Sequence, residues 1–280
     1  MLGYVLPEVA EHLPPSPEWE RHDGNKELTF KPADTPSDSK NAAAHRTARL
    51  ASFLQSVREA KIFRVLDGWR NELYPVYGPQ RQLLFSMERS ASALFGIVTY
   101  GVHVTAYTQT ADGMKLWTPR RAPTKQTYPN MMDNTVAGGL STGERPFECL
   151  VRESMEEASL PEDVVKKAQA CGTMTYFYVR DERAGGEVGL CQPECQYVYD
   201  LELPADVVPR PGDNEAVDFQ LLTVEEVRLA MAAGRFKPNC ALLLVDFFVR
   251  HGIITAENEP DYLEIVSRLH RRLEFPMGQV

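Results

Sequence analysis

Hydrophobic and polar positions follow two different patterns along the chain, and each pattern predicts a different element. Within residues 43–60, four apolar side chains recur at i, i+3, i+4 and i+7, which is the spacing of one helix face. They are Leu50, Phe53, Leu54 and Val57. Residues 96–109 are instead rich in β-branched and aromatic side chains, which is typical of a strand. The Asp112-Gly113 pair that follows predicts a hairpin and a returning strand.

The rest of the chain alternates strand-like and helix-like segments irregularly. The patterns predict strands over 173–179 and 195–203 and helices over 144–159, 237–250 and 261–274. Thr223 with Glu226 forms a capping box for a helix that continues to Ala233. Because this order lacks the regular rhythm of a doubly wound parallel sheet, we expect an α/β (α+β) fold with a mixed sheet between helices.

Three parts are predicted along the chain. Residues 14–45 are rich in Pro, Asp, Ser and Lys, and we expect little structure there beyond a short strand at Leu28–Phe30. We predict a small α+β N-terminal domain of uncertain role over 1–95, a larger domain over 96–255 and a C-terminal helix within 256–280. The net charge of −9 belongs to residues 96–280, since residues 1–95 hold 12 acidic and 12 basic side chains.

Composition and charge exclude several classes of protein. With 43% hydrophobic and 25% charged residues, the composition is ordinary for a soluble protein. The pI of about 5.3 argues against nucleic acid as a partner. The apolar run at 240–245 is far shorter than the ~20 residues of a membrane helix, and the N-terminus lacks a signal-peptide pattern. We expect a cytoplasmic protein with no membrane partner, and its 5 cysteines as free thiols.

Residues 138–160, GGLSTGERPFECLVRESMEEASL, hold the candidate chemistry. Glu156 and Glu157 stand at i+3 and i+4 from Glu153, so three carboxylates project to one side of the predicted helix. Carboxylates this close repel each other, and a hard divalent cation such as Mg²⁺ is the usual compensation. Taken alone, a glutamate-rich face is more often simply solvated. The spacing of the whole segment therefore decides between the two interpretations.

That spacing closely resembles the signature box of the Nudix hydrolases, G-x5-E-x7-R-E-U-x-E-E-x-G-U. Ser154 stands where an aliphatic residue is usual, and Ser159 stands where glycine usually ends the helix. Neither departure touches a charged position. The resemblance implies a Nudix α/β/α sandwich with a mixed sheet, preceded here by the small α+β domain. The matching residues are Gly138, Glu144, Arg152, Glu153, Glu156, Glu157 and Leu160.

The resemblance also implies an activity and a role for each matching residue. It implies that water attacks a phosphorus of a small-molecule diphosphate with the help of Mg²⁺ or Mn²⁺. The implied metal ligands are Gly138, Glu153, Glu156 and Glu157. The implied catalytic residues are Glu153, Glu157, Arg152 and Glu144, with Glu153 as a further metal ligand or the base, and Arg152 bonding Glu144 to hold the loop. Candidates for an additional acidic residue outside the box are Glu194 and Glu215.

A longer resemblance concerns the substrate. The segments LDGWRNELYPVYG, FGIVTYGVHVTAY and YVYDLELP, in this order, resemble a fungal and plant Nudix subgroup related to the Nudix part of thiamine pyrophosphokinase fusions. That subgroup carries an N-terminal extension, and it implies hydrolysis of oxo- or oxythiamine diphosphate to the monophosphate. Candidate phosphate-binding cations are Arg120, Arg121 and Lys125. Candidate ring-stacking aromatics, which are more often core residues, are Trp117, Tyr128, Tyr176, Phe177 and Tyr178.

Several alternatives remain open on the sequence. A Nudix hydrolase of a nucleotide sugar, ADP-ribose or an oxidised nucleotide would share every catalytic residue. An isopentenyl diphosphate isomerase would need a cysteine ahead of the box, and Cys149 is the first in the chain. A non-enzymatic binding protein is expected to lack the box glutamates. In the N-terminal domain, the cluster of Trp69, Tyr74 and Tyr77 suits either a cover for the cleft or a homodimer contact. His103 is predicted to be a core histidine.

Overall fold

The computed structural model describes residues 1–24 and 26–278, so the last two residues of the predicted C-terminal segment lie outside the described residues. The N-terminal part contains α1 (Pro7–His12), β1 (Trp19–His22), β2 (Glu27–Phe30), α2 (Ser39–Glu59), β3 (Leu73–Tyr77), β4 (Leu83–Glu88) and α3 (Ser92–Phe95). The second part contains β5 (Thr99–Thr110), β6 (Gly113–Arg121), β7 (Val136–Gly139), α4 (Pro146–Ala158), α5 (Glu162–Val165), β8 (Gln169–Val179), β9 (Cys191–Glu202), β10 (Ala216–Thr223), α6 (Val224–Ala232), α7 (Pro238–Arg250) and α8 (Tyr262–Arg268).

The second part is built on one mixed sheet. Its strand order is β10-β6-β5-β9-β8, and β7 pairs with the first half of β5. β5 and β9 run parallel, whereas the other neighbouring strands are antiparallel. The turn at Asp112-Gly113 joins β5 to β6, as the hairpin signal predicts. The predicted mixed sheet is confirmed.

Helices cover both faces of this sheet. On one face, Leu150 and Ala158 of α4 are fully buried in a cluster with Val102 of β5. On the other face, Phe247 of α7 is buried with Leu116 of β6. Each large apolar side chain buried in this way contributes about 1.5–3 kcal/mol. The predicted α/β/α sandwich is therefore confirmed.

The N-terminal part is a separate α+β unit that packs on the second part through a shared core. The predicted apolar face of α2 is buried against the β3–β4 hairpin. The same apolar cluster includes Ile97 and Leu190, which belong to the second part of the chain. Separating the two parts would therefore expose apolar surface on both.

Three regions differ from the elements that the sequence predicts. In residues 14–45, where the composition predicts little beyond a short strand at Leu28–Phe30, β1 pairs with β2 in a hairpin and α2 already begins at Ser39. The strand β10 is missed because it is a half-exposed edge strand without a regular apolar alternation. The helix predicted over 261–274 ends at Arg268. Beyond it, Leu269, Leu273 and Phe275 are buried against the second part, and the Arg271 backbone N–H donates to the Thr175 carbonyl at 3.0 Å. Tertiary packing thus overrides the local helical pattern.

The cysteines and the helices bear on two expectations that come from the composition. All 5 cysteines are free thiols, as their spacing predicts. Among the residues that the structure describes, no helix combines the length and the apolar character that a membrane crossing requires.

Candidate active site

The box forms a strand, a loop and a helix. β7 leads into the loop 140–145, and α4 begins with Pro146 at its first position, where the missing N–H of proline has no cost. The helix ends at Ser159, which adopts a left-handed conformation at φ 51°, the position where glycine is usual. The other departure, Ser154, is fully buried with its hydroxyl unpartnered. Both serines cost stability and leave the carboxylates in place.

Arg152 holds the loop to the helix. Its Nε donates to Glu144 Oε1 at 2.8 Å and its Nη2 donates to Glu144 Oε2 at 3.1 Å, so the ion pair is bidentate. Its Nη1 donates to Glu153 at 2.9 Å and to Glu156 at 3.2 Å. One guanidinium therefore fixes the loop and orients two carboxylates of the box.

Glu153 and Glu157 lie side by side under β7. The Ala137 backbone N–H donates to Glu157 Oε2 at 3.0 Å, and a Cβ atom on the next residue, Gly138, would overlap the Glu153 carboxyl. Burial raises the pKa of Glu157 well above its usual value, and the neighbouring Glu153 carboxylate raises it further. Burial also raises the pKa of Glu153, against the opposing effect of Arg152. Two carboxylates are thus held together at an electrostatic cost.

The donor set fits a hard divalent cation. Among the described residues, no Arg, Lys or His side chain forms an ion pair with Glu157, so its charge next to Glu153 is uncompensated. Oxygen donors with excess negative charge are what Mg²⁺ and Mn²⁺ prefer. The backbone of Gly138 lies against the carboxyl group of Glu153. The residues present at this place therefore suit the metal that the box implies.

The structure brings together only part of the predicted ligand set. Glu153, Glu157 and Gly138 meet, whereas the Glu156 side chain is 55% exposed and turns toward Arg152. No three His, Cys, Asp or Glu side chains in the described part of the chain stand close enough to enclose an ion by themselves. The metal-binding role of Glu156 stays a prediction.

A cleft of about 400 Å³ lies beside this cluster, between the N-terminal part and the sheet. Its volume is in the range of small-molecule sites. Gly138 and Gly139 of the box form part of its wall, so the cleft reaches the carboxylate cluster. Basic side chains line it from both parts of the chain; they are Arg64, Arg70, Arg89, Lys125, Arg180 and Lys237.

The three predicted phosphate-binding cations have different positions. Lys125 lines the cleft and pairs with Glu215. Arg121 is mostly buried, with Nη1 2.5 Å from Asp133 Oδ2 and Nη2 bonded to the Thr127 carbonyl. Arg120 lies outside the cleft, where it faces Asp218 at 3.8 Å. Of the three, only Lys125 is within reach of a ligand in the cleft.

The two acidic candidates outside the box occupy different places. Glu215 lies near Glu157, between Lys125 and Arg70. Although burial opposes it, these cations hold the pKa of Glu215 below its usual value. Glu194 is instead buried in the floor of the cleft. The structure thus places one candidate beside the box and the other in the pocket.

Glu194 is held by neutral hydrogen-bond donors. Tyr176 donates its hydroxyl to Glu194 Oε2 at 2.5 Å, Gln196 donates its Nε2 to the same oxygen at 2.7 Å, and Gln192 donates to Oε1. Among the described residues, no basic side chain forms an ion pair with it. This buried carboxylate therefore has no cationic partner in a cleft that is lined by six basic side chains and by Asp67.

The candidate aromatics also divide into two groups. Tyr128 and Tyr178 line the cleft. Trp117 is buried in the core with its Nε1 bonded to Thr108. Phe177 packs against Tyr4, outside the cleft. His103 is 4% exposed at the edge of the cleft, bonded to Asn134 at 3.0 Å. It is a buried histidine, as the sequence predicts.

Sequence reasoning missed most of the basic residues in the cleft. Arg70 and Arg89 come from the N-terminal part, and Lys237 comes from the N-terminus of α7. None of them belongs to a motif or has a fixed spacing from the box. Of the predicted aromatic cluster, Tyr74 lines the cleft, Tyr77 packs edge-on against Tyr100, and Trp69 is covered by the Arg58 guanidinium.

Comparison with known proteins gives two matching families. Residues 1–99 match a domain of unknown function, DUF4743, and residues 99–241 match the NUDIX domain. An uncharacterised protein of Saccharomyces cerevisiae is 41% identical over 257 residues, which cover 89% of this chain and 72% of that protein. Nudix hydrolase 20, chloroplastic, of Arabidopsis thaliana is 39% identical over 211 residues, or 74% of this chain and 54% of the plant protein.

Two further comparisons are more distant or more partial. Nudix hydrolase 24, chloroplastic, of Arabidopsis thaliana is 38% identical over 208 residues, which cover 73% of this chain and 54% of that protein. The chain thus spans about half the length of both plant relatives. A crystal structure from Deinococcus radiodurans aligns with a TM-score of 0.41 and 21% identity, covering 71% of this chain and 100% of that one.

The family follows from the sequence matches and agrees with the box. The NUDIX model covers half of the chain, and the yeast relative is 41% identical over most of its length. The residues of the signature box occupy one strand, loop and helix of the mixed sheet. This chain belongs to the Nudix hydrolase family and is a hydrolase of phosphorus-containing acid anhydrides.

Proposed function

We propose that this protein is a Mg²⁺- or Mn²⁺-dependent diphosphatase that hydrolyses damaged thiamine diphosphates, oxo- and oxythiamine diphosphate, to the monophosphate and phosphate. The observation that carries the substrate is the distribution of charge in the cleft. Six basic side chains and one acidic side chain, Asp67, line its walls, and its floor holds the buried carboxylate of Glu194, which has no ion-pair partner among the described residues. Oxythiamine diphosphate has the complementary arrangement, because its anionic diphosphate is attached to a cationic thiazolium ring.

The carboxylates of the box would hold the metal in this proposal. Glu153, Glu156, Glu157 and the Gly138 carbonyl are the ligands, and the bound ion supplies Lewis-acid polarisation of a phosphoryl oxygen. Arg152 positions Glu153 through its 2.9 Å hydrogen bond and fixes the loop through Glu144. Lys125 faces the diphosphate from the sheet side.

The leaving group would occupy the end of the cleft that contains Glu194. Tyr128 and Tyr178 line the cleft, and Glu194 would place a carboxylate near a cationic heterocycle bound there. A nucleoside diphosphate has a neutral base instead and gains nothing from this carboxylate. The charge of the floor therefore favours a thiamine-type substrate over a nucleotide.

The experiment compares kcat/KM for oxythiamine diphosphate with kcat/KM for ADP-ribose in the wild type and in Glu194→Gln. We expect the wild type to prefer oxythiamine diphosphate. We expect the variant to lose about tenfold of that preference, which corresponds to ~1.4 kcal/mol of differential binding. Glu202→Gln, on the exposed end of the same strand, is the matched control and should keep the preference. An unchanged ratio in Glu194→Gln would contradict the role of Glu194 in substrate selection, and a wild type that prefers ADP-ribose would argue for a nucleotide-type substrate.

A further inference from the structure

The N-terminal part contacts the signature box directly at Gly139, the last residue of β7. The Tyr74 hydroxyl occupies the space that a Cβ atom on Gly139 would need, so this glycine permits the contact. The Arg89 Nη1 atom lies 3.4 Å from the same position. Gly139 follows Gly138, whose backbone touches the Glu153 carboxyl. Two side chains from outside the Nudix domain therefore stand one residue from the catalytic cluster.

The fold holds Arg89 firmly in this place. Arg89 follows β4, and its backbone N–H donates to the Glu72 carbonyl at 2.8 Å. Its Nη1 donates to Glu72 Oε2 at 2.8 Å, and its guanidinium lies over the Tyr74 ring at 5.6 Å from the centroid. The side chain is 37% exposed and lines the cleft. The guanidinium is thus pre-oriented and still accessible to a ligand.

Arg89 keeps hydrogen-bonding capacity that its ion pair with Glu72 leaves free. A guanidinium has five N–H donors, and the Glu72 pair uses one of them. Arg70 and Lys125 share the carboxylate of Glu215, and the Arg64 guanidinium bonds the Gly186 carbonyl near the rim. Arginine is suited to bidentate contact with phosphate oxygens.

We infer that the N-terminal domain forms the second wall of the active site and that Arg89 binds a phosphoryl oxygen of the substrate's diphosphate there. This inference rests on the proposed diphosphatase function, and it assigns a role to the domain that precedes the Nudix domain. The Tyr74 ring and Gly139 keep the two walls in contact, and Glu72 orients the arginine fork toward the cleft.

The test measures the affinity for inorganic pyrophosphate by isothermal titration calorimetry, with and without Mg²⁺, in the full-length protein. We expect Arg89→Ala to weaken binding about 10- to 100-fold, as for the loss of a charge-assisted hydrogen bond. The affinity of Arg89→Lys should lie between those of the wild type and Arg89→Ala, because lysine keeps a positive charge but lacks the planar guanidinium that can make two hydrogen bonds. Arg58→Ala, which removes a guanidinium that packs on Trp69 away from the cleft, should bind like the wild type.

Three outcomes would overturn the inference. They are a wild type that does not bind pyrophosphate, an Arg89→Ala variant with unchanged affinity, and an equal loss in Arg58→Ala. If Arg89→Ala has a lowered melting temperature, the pyrophosphate affinity of Arg89→Lys tests the inference instead. The readout does not depend on turnover. A protein that binds pyrophosphate through Arg89 and hydrolyses no thiamine-type diphosphate would reject the proposed substrate and leave this inference standing.

Discussion

Arg152 and Glu144, eight residues apart, form a bidentate ion pair with N–O distances of 2.8 and 3.1 Å. The pair joins the loop before α4 to the exposed face of that helix. Since the same guanidinium also bonds Glu153, the loop geometry and the position of the Glu153 carboxylate depend on one side chain. We therefore expect Glu144 to act on catalysis indirectly.

Glu144→Gln should therefore reduce activity moderately. Glutamine keeps one acceptor oxygen and loses the charge, so Arg152 is oriented less strictly. We expect kcat to fall about 10- to 100-fold, the effect typical of residues that position metal ligands. Steady-state kinetics with Mg²⁺ on the preferred diphosphate measures it. A loss as large as that of a ligand substitution would mean that Glu144 contacts the metal or the substrate itself.

Glu157→Gln should have the larger effect. Removing a carboxylate that holds a catalytic Mg²⁺ forfeits several kcal/mol of charge stabilisation, so we expect kcat to fall by about 10³-fold or more. The side-chain oxygen of the introduced glutamine can still accept from the Ala137 N–H, so the fold and the melting temperature should persist. Glu148→Gln, on the first turn of the same helix, is the control. Near-normal turnover in Glu157→Gln would remove the basis of the assigned site.

Gly139→Ala should separate the two walls of the cleft. The added methyl group would overlap the Tyr74 hydroxyl, and we expect a loss of about 1–3 kcal/mol in the free energy of unfolding. KM should rise, because the N-terminal wall moves away from the catalytic loop. Gly24→Ala is the control, since no atom lies within 4 Å of its added methyl group. Equal KM values in both variants would show that the wall is dispensable.

His103 should make stability depend on pH. Burial, with Lys237 nearby, lowers its pKa to about 4, whereas an unfolded histidine has a pKa of about 6.5. The unfolded state therefore binds more protons below pH 6.5, and stability falls as the pH drops from 6.5 toward 4. Between pH 7.5 and 5.5, urea unfolding should show a loss about 1 kcal/mol smaller in His103→Gln than in the wild type. Parallel pH profiles would contradict a neutral, buried His103.

The carboxylate cluster of the box is predictable from the sequence because its members are local. Gly138 through Glu157 lie within one strand, loop and helix, so helical spacing alone places Glu153 and Glu157 side by side. Even there, the orientation of Glu156 toward Arg152 depends on side-chain packing that spacing does not determine.

The cleft is not predictable in the same way because its residues come from distant segments. Arg121 has the sequence context of a phosphate ligand, yet its guanidinium forms an ion pair with Asp133, 12 residues later. Arg89 has no motif at all, and only the packing of the β3–β4 hairpin on Gly139 brings it to the site. Long-range contacts of this kind leave no periodic trace in a single sequence.

Phosphate release with Mg²⁺ from a short panel of substrates tests the proposed substrate most directly. The panel contains oxythiamine diphosphate, thiamine diphosphate, ADP-ribose, a nucleotide sugar and an oxidised nucleoside triphosphate. We expect the highest kcat/KM for oxythiamine diphosphate, with its monophosphate as the product. A higher kcat/KM for a nucleotide substrate would keep the Nudix chemistry and contradict the proposed substrate, and no cleavage of any substrate would contradict the proposed diphosphatase activity.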